Sequence, residues 1–438
     1  MTVTNVSARS AARPAGKLGL FSWCLFDWAN SAFNTVIGTF IFSVYFARGI
    51  HGDETTGSAL WGYAIGASGL MVAILSPVLG AIADRTGRRK PWLAVLVGLT
   101  VGMTTLLWFA EPDPSFTLYA LVLVALSSTS FALCDVFYSA MLPSVAPPGM
   151  VGRLSGWGWG LGYVGGLLSL VAALFGLVQA EPPPFGLDPE SQEPVRAVTL
   201  LVAAWFTLFA LPLFLFTPDE PATGVPAGRA VREGLAQLAR TLREVRRYGD
   251  IARFLLASAL YRDGLNTLFA VGGLYAAGTF GMSFEQILIF AIGLNVTAGI
   301  GAAGFAFLDD HIGPKPTILI ALAGLLAFGL PLVLISDITL FIGLALGLGI
   351  FVGPAQAASR SMMARMAPDE METEMFGLYA MTGKAVAFLG PLAFAAATGL
   401  FDSQRAGMAT ILLFLIAGGA ILLTVRNVGR PQPVPERG

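Results

Sequence analysis

The chain has 438 residues, of which 55% are hydrophobic and 12% charged, with a mean hydropathy of +0.73. Soluble domains carry about 25% charged residues, so this composition excludes an ordinary soluble protein; many apolar runs of roughly 20 residues point instead to a helical protein that crosses a membrane repeatedly. The net charge of −1, two cysteines in apolar runs (Cys24, Cys134) and two histidines (His51, His311) give no basis for nucleic-acid binding, a disulfide framework, a metal site or His-based catalysis.

In chain order, Arg9, Arg13 and Lys17 precede an apolar run that is too long for a cleavable signal and contains Asp27, so it reads as a first spanning helix. Twelve spans are predicted, at about 20–47, 59–82, 91–110, 116–141, 153–179, 196–216, 252–278, 285–308, 316–335, 338–364, 374–400 and 406–425. The first holds FSWCLFDWANSAFNT, residues 21–35. Its Asp27, Asn30, Ser31 and Asn34 fall at i, i+3, i+4 and i+7 and share one helix face. An ionisable group at membrane depth is costly unless it faces protein or water, so it marks a site.

Basic residues set the orientation. With both termini inside, twenty Lys and Arg fall in inner segments: Arg9, Arg13, Lys17, Arg85, Arg88, Arg89, Lys90, Arg153, Arg229, Arg232, Arg240, Arg243, Arg246, Arg247, Arg253, Lys315, Arg365, Arg426, Arg430 and Arg437. Outer segments hold Arg48, Arg196 and Arg405. The outer loop 181–193 is acidic and Pro-rich, which suits that side. The longest polar segment, about 217–250, reads as a linker followed by an Arg-rich amphipathic helix on the inner membrane surface. The predicted division is an inner N-terminus (1–19), a first six-helix bundle (20–216), an inner linker (217–251), a second six-helix bundle (252–425) and an inner tail (426–438).

The halves repeat one another. DWANSAF (27–33) returns as DGLNTLF (263–269). Met141, Ala146, Pro147 and Gly156 return as Met362, Ala367, Pro368 and Gly377 at a constant offset of 221, and Asp84-x-x-Gly87 returns as Asp310-x-x-Gly313. Three matches in the same order predict parallel six-helix repeats. The fifth span carries two small-xxx-small stripes, Gly152/Gly156/Gly160 and Gly158/Gly162/Gly166, which predict close helix packing. Gly160-x-Gly162-x-x-Gly165 matches a dinucleotide fingerprint, but no strand precedes it and it lies within a span.

Twelve spans, a six-plus-six repeat and a basic central loop resemble the major facilitator superfamily. Residues 80–89, GAIADRTGRR, fit that superfamily's G-x-x-x-D-[R/K]-x-G-R-[R/K] signature. The resemblance implies that Asp84 and Arg88, with Arg85 beside them, lock the two halves in the outward-open state. In the second half Pro314 and Lys315 replace the Arg pair, so no symmetrical lock is expected. FDWANSAF (26–33), YRDGLNTLFAVGGLY (261–275), GPAQAASRSMMARMAP (353–368) and FGLYAMTGKAVAFLGP (376–391) are similar to the family named for the fungal autophagy-related vacuolar amino-acid effluxer. What this implies is an all-α major facilitator fold and export of amino acids.

The intramembrane charges are Asp27, Asp135, Arg262, Asp263, Arg360 and Lys384, and helical rise places them in the inner half. Two assignments are expected. Asp27, Asn30, Asn34, Tyr261, Arg262, Asp263, Asn266 and Gln356 form a substrate or coupling site, in which carboxylates hold an amino group or carry a proton and Arg holds a carboxylate. Asp135, Arg360 and Lys384 form a gate of ion pairs, with Asp84, Arg85 and Arg88 at the inner surface. The expected protein is a monomeric secondary transporter of the cell membrane with a small-molecule substrate, proton coupling through a carboxylate, no cofactor and no enzymatic activity. A different cargo (sugar, drug or lysolipid) and a non-transporting sensor are the alternatives.

Overall fold

The computed structural model describes residues 15–243 and 248–426, the side chains of residues 284, 285 and 288 excepted. Arg9, Arg13, Arg246, Arg247, Arg430 and Arg437 of the charge count lie outside the described residues. The first half contains α1 (Lys17–Ala32), α2 (Glu54–Thr86), α3 (Lys90–Leu106), α4 (Thr117–Ala140), α5 (Val151–Ala173) and α6 (Glu193–Phe216). A surface helix, α7 (Ala227–Arg243), leads to the second half: α8 (Gly249–Phe280), α9 (Phe284–Ile312), α10 (Pro314–Leu334), α11 (Ile338–Met366), α12 (Glu372–Val386), α13 (Leu389–Phe401) and α14 (Gln404–Leu423). Among the described residues there is no strand, as expected of a chain that must satisfy its backbone inside hydrocarbon.

Eleven helical stretches among the described residues are long and apolar enough to cross a membrane. The remaining span is α8, whose apolar run is interrupted by Arg262, Asp263 and Asn266. Local chemistry sets several starts. The Asp53 carboxylate accepts from the Thr55 and Thr56 amides to open α2, Ser283 and Gln286 form a capping box on α9, and Asp337 accepts from the Leu340 amide to open α11. Past Ala32 the first span widens into π-type turns over Phe33–Phe40, so the helix is irregular where Asn34 and Thr35 project. The eleventh span is broken between α12 and α13. Pro391 explains the break: its ring cannot tolerate the carbonyl of Ala387 in a continuous helix.

The two halves meet along α2 against α12 and α5 against α9 and α11. The glycine stripes of α5 divide the work. A Cβ on Gly156 would lie 2.5 Å from the Ala302 oxygen and Ala306 Cβ of α9, whereas one on Gly162 would lie 3.0 Å from Ser31 Oγ of α1. The repeat mate of Gly156, Gly377 on α12, is pressed against Ser76 and Pro77 of α2. Ser76 Oγ donates to the Gly377 carbonyl at 2.9 Å, and Ser155 Oγ donates to the Ala357 carbonyl at 2.7 Å. Gly156 and Gly377 thus build equivalent junctions, α5 on α9 and α12 on α2, while the Ser155 bond belongs to the separate contact of α5 with α11.

The linker is packed rather than free. Asp219 accepts from the Arg89 and Lys90 amides at 3.0 and 3.2 Å and so caps α3, while Thr223 Oγ1 donates to the Arg85 carbonyl. The amphipathic helix α7 buries Ala230, Gly234, Leu238 and Thr241, with Gly234 against the Ala81 carbonyl of α2, and exposes Val231, Leu235 and Leu242.

Candidate functional site

At the basic end of the bundle, α2 stops at Thr86 because Gly87 adopts φ +81°. Asp84, one turn earlier, accepts from the amides of Thr373 and Glu374 at 3.0 and 2.8 Å. These amides open α12 in the other half, where a helix N-terminus favours a negative charge. Arg89 follows the turn and is buried. It bonds Glu372 and Glu220, each at 2.9 Å, and donates to Thr373 Oγ1 at 3.0 Å. Burial works against its charge, but Glu220, Glu372 and Asp84 outweigh that and raise its pKa above the ordinary value. Arg88, the position expected in the lock, is exposed, and Arg85 reaches Gln237 of α7 at 3.1 Å. Arg89 was missed because the motif admits either Arg and only the turn decides which points inward.

The second half has a matching lock, contrary to the expectation from Pro314 and Lys315. Asp310, at the end of α9, accepts from the amides of Gly152 and Arg153 at 2.8 and 3.2 Å, which open α5 in the first half. The Arg153 side chain adds a bond at 2.7 Å, and Arg365 bonds Asp310 and Asp309 at 3.2 and 3.0 Å. The basic partners come from distant segments instead of the loop itself. Together the two sets of contacts join the halves at the basic end.

Above them lies a cavity of about 390 Å³ between the halves. Its wall includes Asp27, Asn30 and Asn34 from the first span, Asp135 from α4, Arg262, Asp263 and Asn266 from α8, and Lys384 from α12. The DWANSAF stretch and its echo therefore face one space, as their shared pattern predicts.

Chain neighbours give these groups different duties. Asp27 is paired: Arg360 of α11 reaches it at 2.9 and 3.3 Å, and Tyr138 OH donates to it at 3.0 Å. Arg360 also donates to Ser155 Oγ at 3.0 Å and to the Ser155 carbonyl at 2.7 Å. The rings of Trp23 and Tyr138 lie 5.0 and 5.4 Å from its guanidinium carbon. Gly158 leaves room for this pair, since a Cβ there would come within 2.9 Å of Arg360 Nη2. Asp27, expected at the substrate or coupling site, is thus also the carboxylate of the buried ion pair between halves.

Asp263 takes another role. Its carboxylate accepts from the Gly390 amide at 2.7 Å and so caps α13 at the break in the eleventh span. Its other oxygen is buried without a hydrogen-bond partner. Arg262 lies over the Tyr379 ring at 4.2 Å, leaving Nε and Nη1 without partners. Asp135 and Lys384, expected in the ion-pair gate, have no ion-pair partner among the described residues and are exposed to the cavity. Tyr261 is fully buried and bonded to Ser359 at 2.5 Å, so it is a helix-packing residue. Gln356 is not in the cavity wall. Sequence reasoning passed over Asn295, a polar group in an apolar run that also faces the cavity.

The family model for "Vacuole effluxer Atg22 like" matches residues 43–431. A relative from Bacillus subtilis, the uncharacterized MFS-type transporter YxiO, is 28% identical over 417 residues, covering 92% of this chain and 94% of its own. Autophagy-related protein 22 of Eremothecium gossypii is 24% identical over 399 residues, covering 83% of this chain and 76% of its own. Among solved structures, the proton:xylose symporter XylE superposes with a TM-score of 0.73 at 12% identity, covering 94% of this chain and 96% of its own. A bacterial homologue of the iron transporter ferroportin in an outward-facing state gives 0.67 at 13% identity, covering 93% and 98%. These likenesses establish the major facilitator fold.

Proposed function

Because this chain belongs to the Atg22-like vacuole effluxer family and has the major facilitator fold, it is a membrane transporter and not an enzyme, and we propose that it exports amino acids or similar small polar solutes by alternating access. The cavity between the halves supports this most directly. It is small, its mixed wall carries a cluster of charged and amide side chains, and unpaired groups of both signs lie on it. In this reading the basic end faces the cytoplasm of a cell-membrane protein with both termini inside, and the locked arrangement is the outward-open state. The predicted domain limits, 20–216 and 252–425 about a linker at 217–251, give the two bundles that rock. Opening inward breaks the Asp84 and Asp310 locks and the Asp27–Arg360 pair. Freed of Arg360, Asp27 is the carboxylate best placed to carry a coupling proton, with the protein acting as a monomer.

The test is transport in proteoliposomes across an amino-acid panel, with and without a pH gradient. The reading expects gradient-stimulated flux that Asp27→Asn abolishes. Full gradient-driven flux in Asp27→Asn removes the coupling role, and no flux of any amino acid removes the substrate class.

A second reading, a lipid-like cargo, is favoured by one feature. An apolar groove of about 760 Å³ runs along α1, α5 and α9 past Phe21, Trp157 and Ile300, with Lys17 at its basic end. Tyr163 and Asn295 line both this groove and the central cavity. The central cavity is far more polar than this groove, which favours a polar solute; competition by a lysophospholipid in the same assay distinguishes the two.

A further inference from the structure

The surface helix between the halves has three faces rather than two. The buried stripe of α7 is Ala230, Gly234 and Thr241, with Leu238 at its edge. Next around the helix come Val231, Leu235 and Leu242, which are 41%, 44% and 55% exposed although apolar. Beyond them lie Arg232 and Arg243, then Arg229 and Arg240, all exposed. Ala230 and Thr241, Val231 and Leu242, Arg232 and Arg243, and Arg229 and Arg240 are each about three turns apart, so the order buried, apolar, basic holds along the helix. Glu233 is the one acidic residue of α7 and falls opposite the apolar stripe, so four arginines stand against one carboxylate.

That order fits a bilayer interface, with one flank on protein, the apolar edge toward acyl chains, the basic edge among headgroups and the acid toward water. The packing supplies the depth. Gly234 lies against the Ala81 carbonyl of α2, short of that helix's end at Thr86. At about 1.5 Å per residue, α7 lies roughly 7.5 Å inside the end of a spanning helix, the depth at which interfacial helices bury their apolar face. The basic stripe is also free. Arg85 and Arg240 bond Gln237 at 3.1 and 2.9 Å, but the side chains of Arg229, Arg232 and Arg243 bond nothing among the described residues.

We propose that α7 is a docking helix for anionic phospholipid of the leaflet at the basic end. Val231, Leu235 and Leu242 sit among the acyl chains, and Arg229, Arg232 and Arg243 hold headgroups that carry a net negative charge. Zwitterionic lipid covers the apolar stripe equally well but leaves the surplus positive charge unanswered. The proposal does not depend on what the central cavity carries.

The experiment places an environment-sensitive fluorophore on Leu235→Cys in the full chain, where the natural cysteines are buried. The protein is reconstituted in phosphatidylcholine vesicles holding graded amounts of spin-labelled phosphatidylglycerol or spin-labelled phosphatidylcholine, which quench on contact, and acrylamide reports access from water. Half-maximal quenching is expected at about a fivefold lower mole fraction of phosphatidylglycerol than of phosphatidylcholine, the effect of one arginine near an anionic surface. Arg229→Gln/Arg232→Gln/Arg243→Gln is expected to remove the difference, and about 1 M salt to shrink it, because the screening length falls to about 3 Å. If the triple variant does not fold, the two lipids compared at low and high salt decide the matter. Equal quenching by the two lipids overturns the anionic preference. Quenching by acrylamide and by neither lipid overturns the placement in the bilayer and leaves the face to water or a protein partner. An undiminished preference in the folded triple variant overturns the assignment of the arginines.

Discussion

Removing the carboxylates that cap the opposite half should open the basic end. Asp84 makes bonds of 3.0 and 2.8 Å to the α12 amides, and its repeat mate Asp310 makes bonds of 2.8 and 3.2 Å to the α5 amides. A hydrogen bond to a charged group contributes about 1.5–3 kcal/mol, and two on one carboxylate share that group's desolvation, so about 3 kcal/mol per lock is a fair value. In the open state these carboxylates and amides are hydrated, so the loss falls on the closed state alone. Asp84→Ala should therefore shift the closed-to-open ratio by roughly 100-fold, and Asp84→Ala/Asp310→Ala by roughly the square of that. Spin labels at Arg88→Cys and Asp369→Cys, two exposed positions on opposite halves, report the separation by pulsed electron resonance. The natural cysteines are buried and need no removal. A longer distance should emerge in Asp84→Ala and dominate in the double variant. A folded double variant with the wild-type distance distribution would refute the reasoning.

Other expectations follow from the same geometry. Removing one member of the buried pair, as in Arg360→Gln, should cost about 3–5 kcal/mol and lower the apparent melting temperature in detergent, while Asp27→Asn/Arg360→Gln should recover much of the loss; equal melting points for the single and double variants would contradict this. Gly156→Leu should destabilise the junction between halves, because even its Cβ meets α9 at 2.5 Å, whereas Gly176→Ala, with open space around it, should change stability by no more than about 0.5 kcal/mol. Gly390→Ala drives a Cβ into Thr267 Oγ1 of α8 and to 3.2 Å from the Asp263 oxygen that caps α13, so it should lower both transport and the apparent melting temperature in detergent. Tyr261→Phe should lose about 1 kcal/mol of stability with its bond to Ser359 and leave substrate affinity unchanged, since Tyr261 lies outside the cavity.

The membrane spans and the repeat were legible because both are written in local pattern. Apolar runs give the helices, and the paired D-x-x-G and D-x-x-N motifs give the symmetry. Pairings between distant segments were not legible. Asp27 and Arg360 are 333 residues apart, and nothing in either neighbourhood names the other. Asp310 finds its cations at Arg153 and Arg365, so the absence of an Arg pair beside it was uninformative. Choosing Arg89 over Arg88 depends on the backbone at Gly87, below the resolution of a motif. The capping role of Asp263 follows from the break before α13, which Pro391 in an apolar run signals. The division between substrate and gate residues changed most. Asp27 became part of an ion pair, while Asp135 and Lys384 became cavity groups.

Solute counterflow tests the central claim most directly. Proteoliposomes preloaded with an unlabelled amino acid and diluted into labelled amino acid require no driving gradient, so the result does not depend on coupling. The account predicts transient accumulation of label above equilibrium for at least one amino acid, lost in Arg262→Gln while that variant keeps its fold. Absence of accumulation across the whole panel with folded, reconstituted protein, or accumulation undiminished in Arg262→Gln, would contradict it.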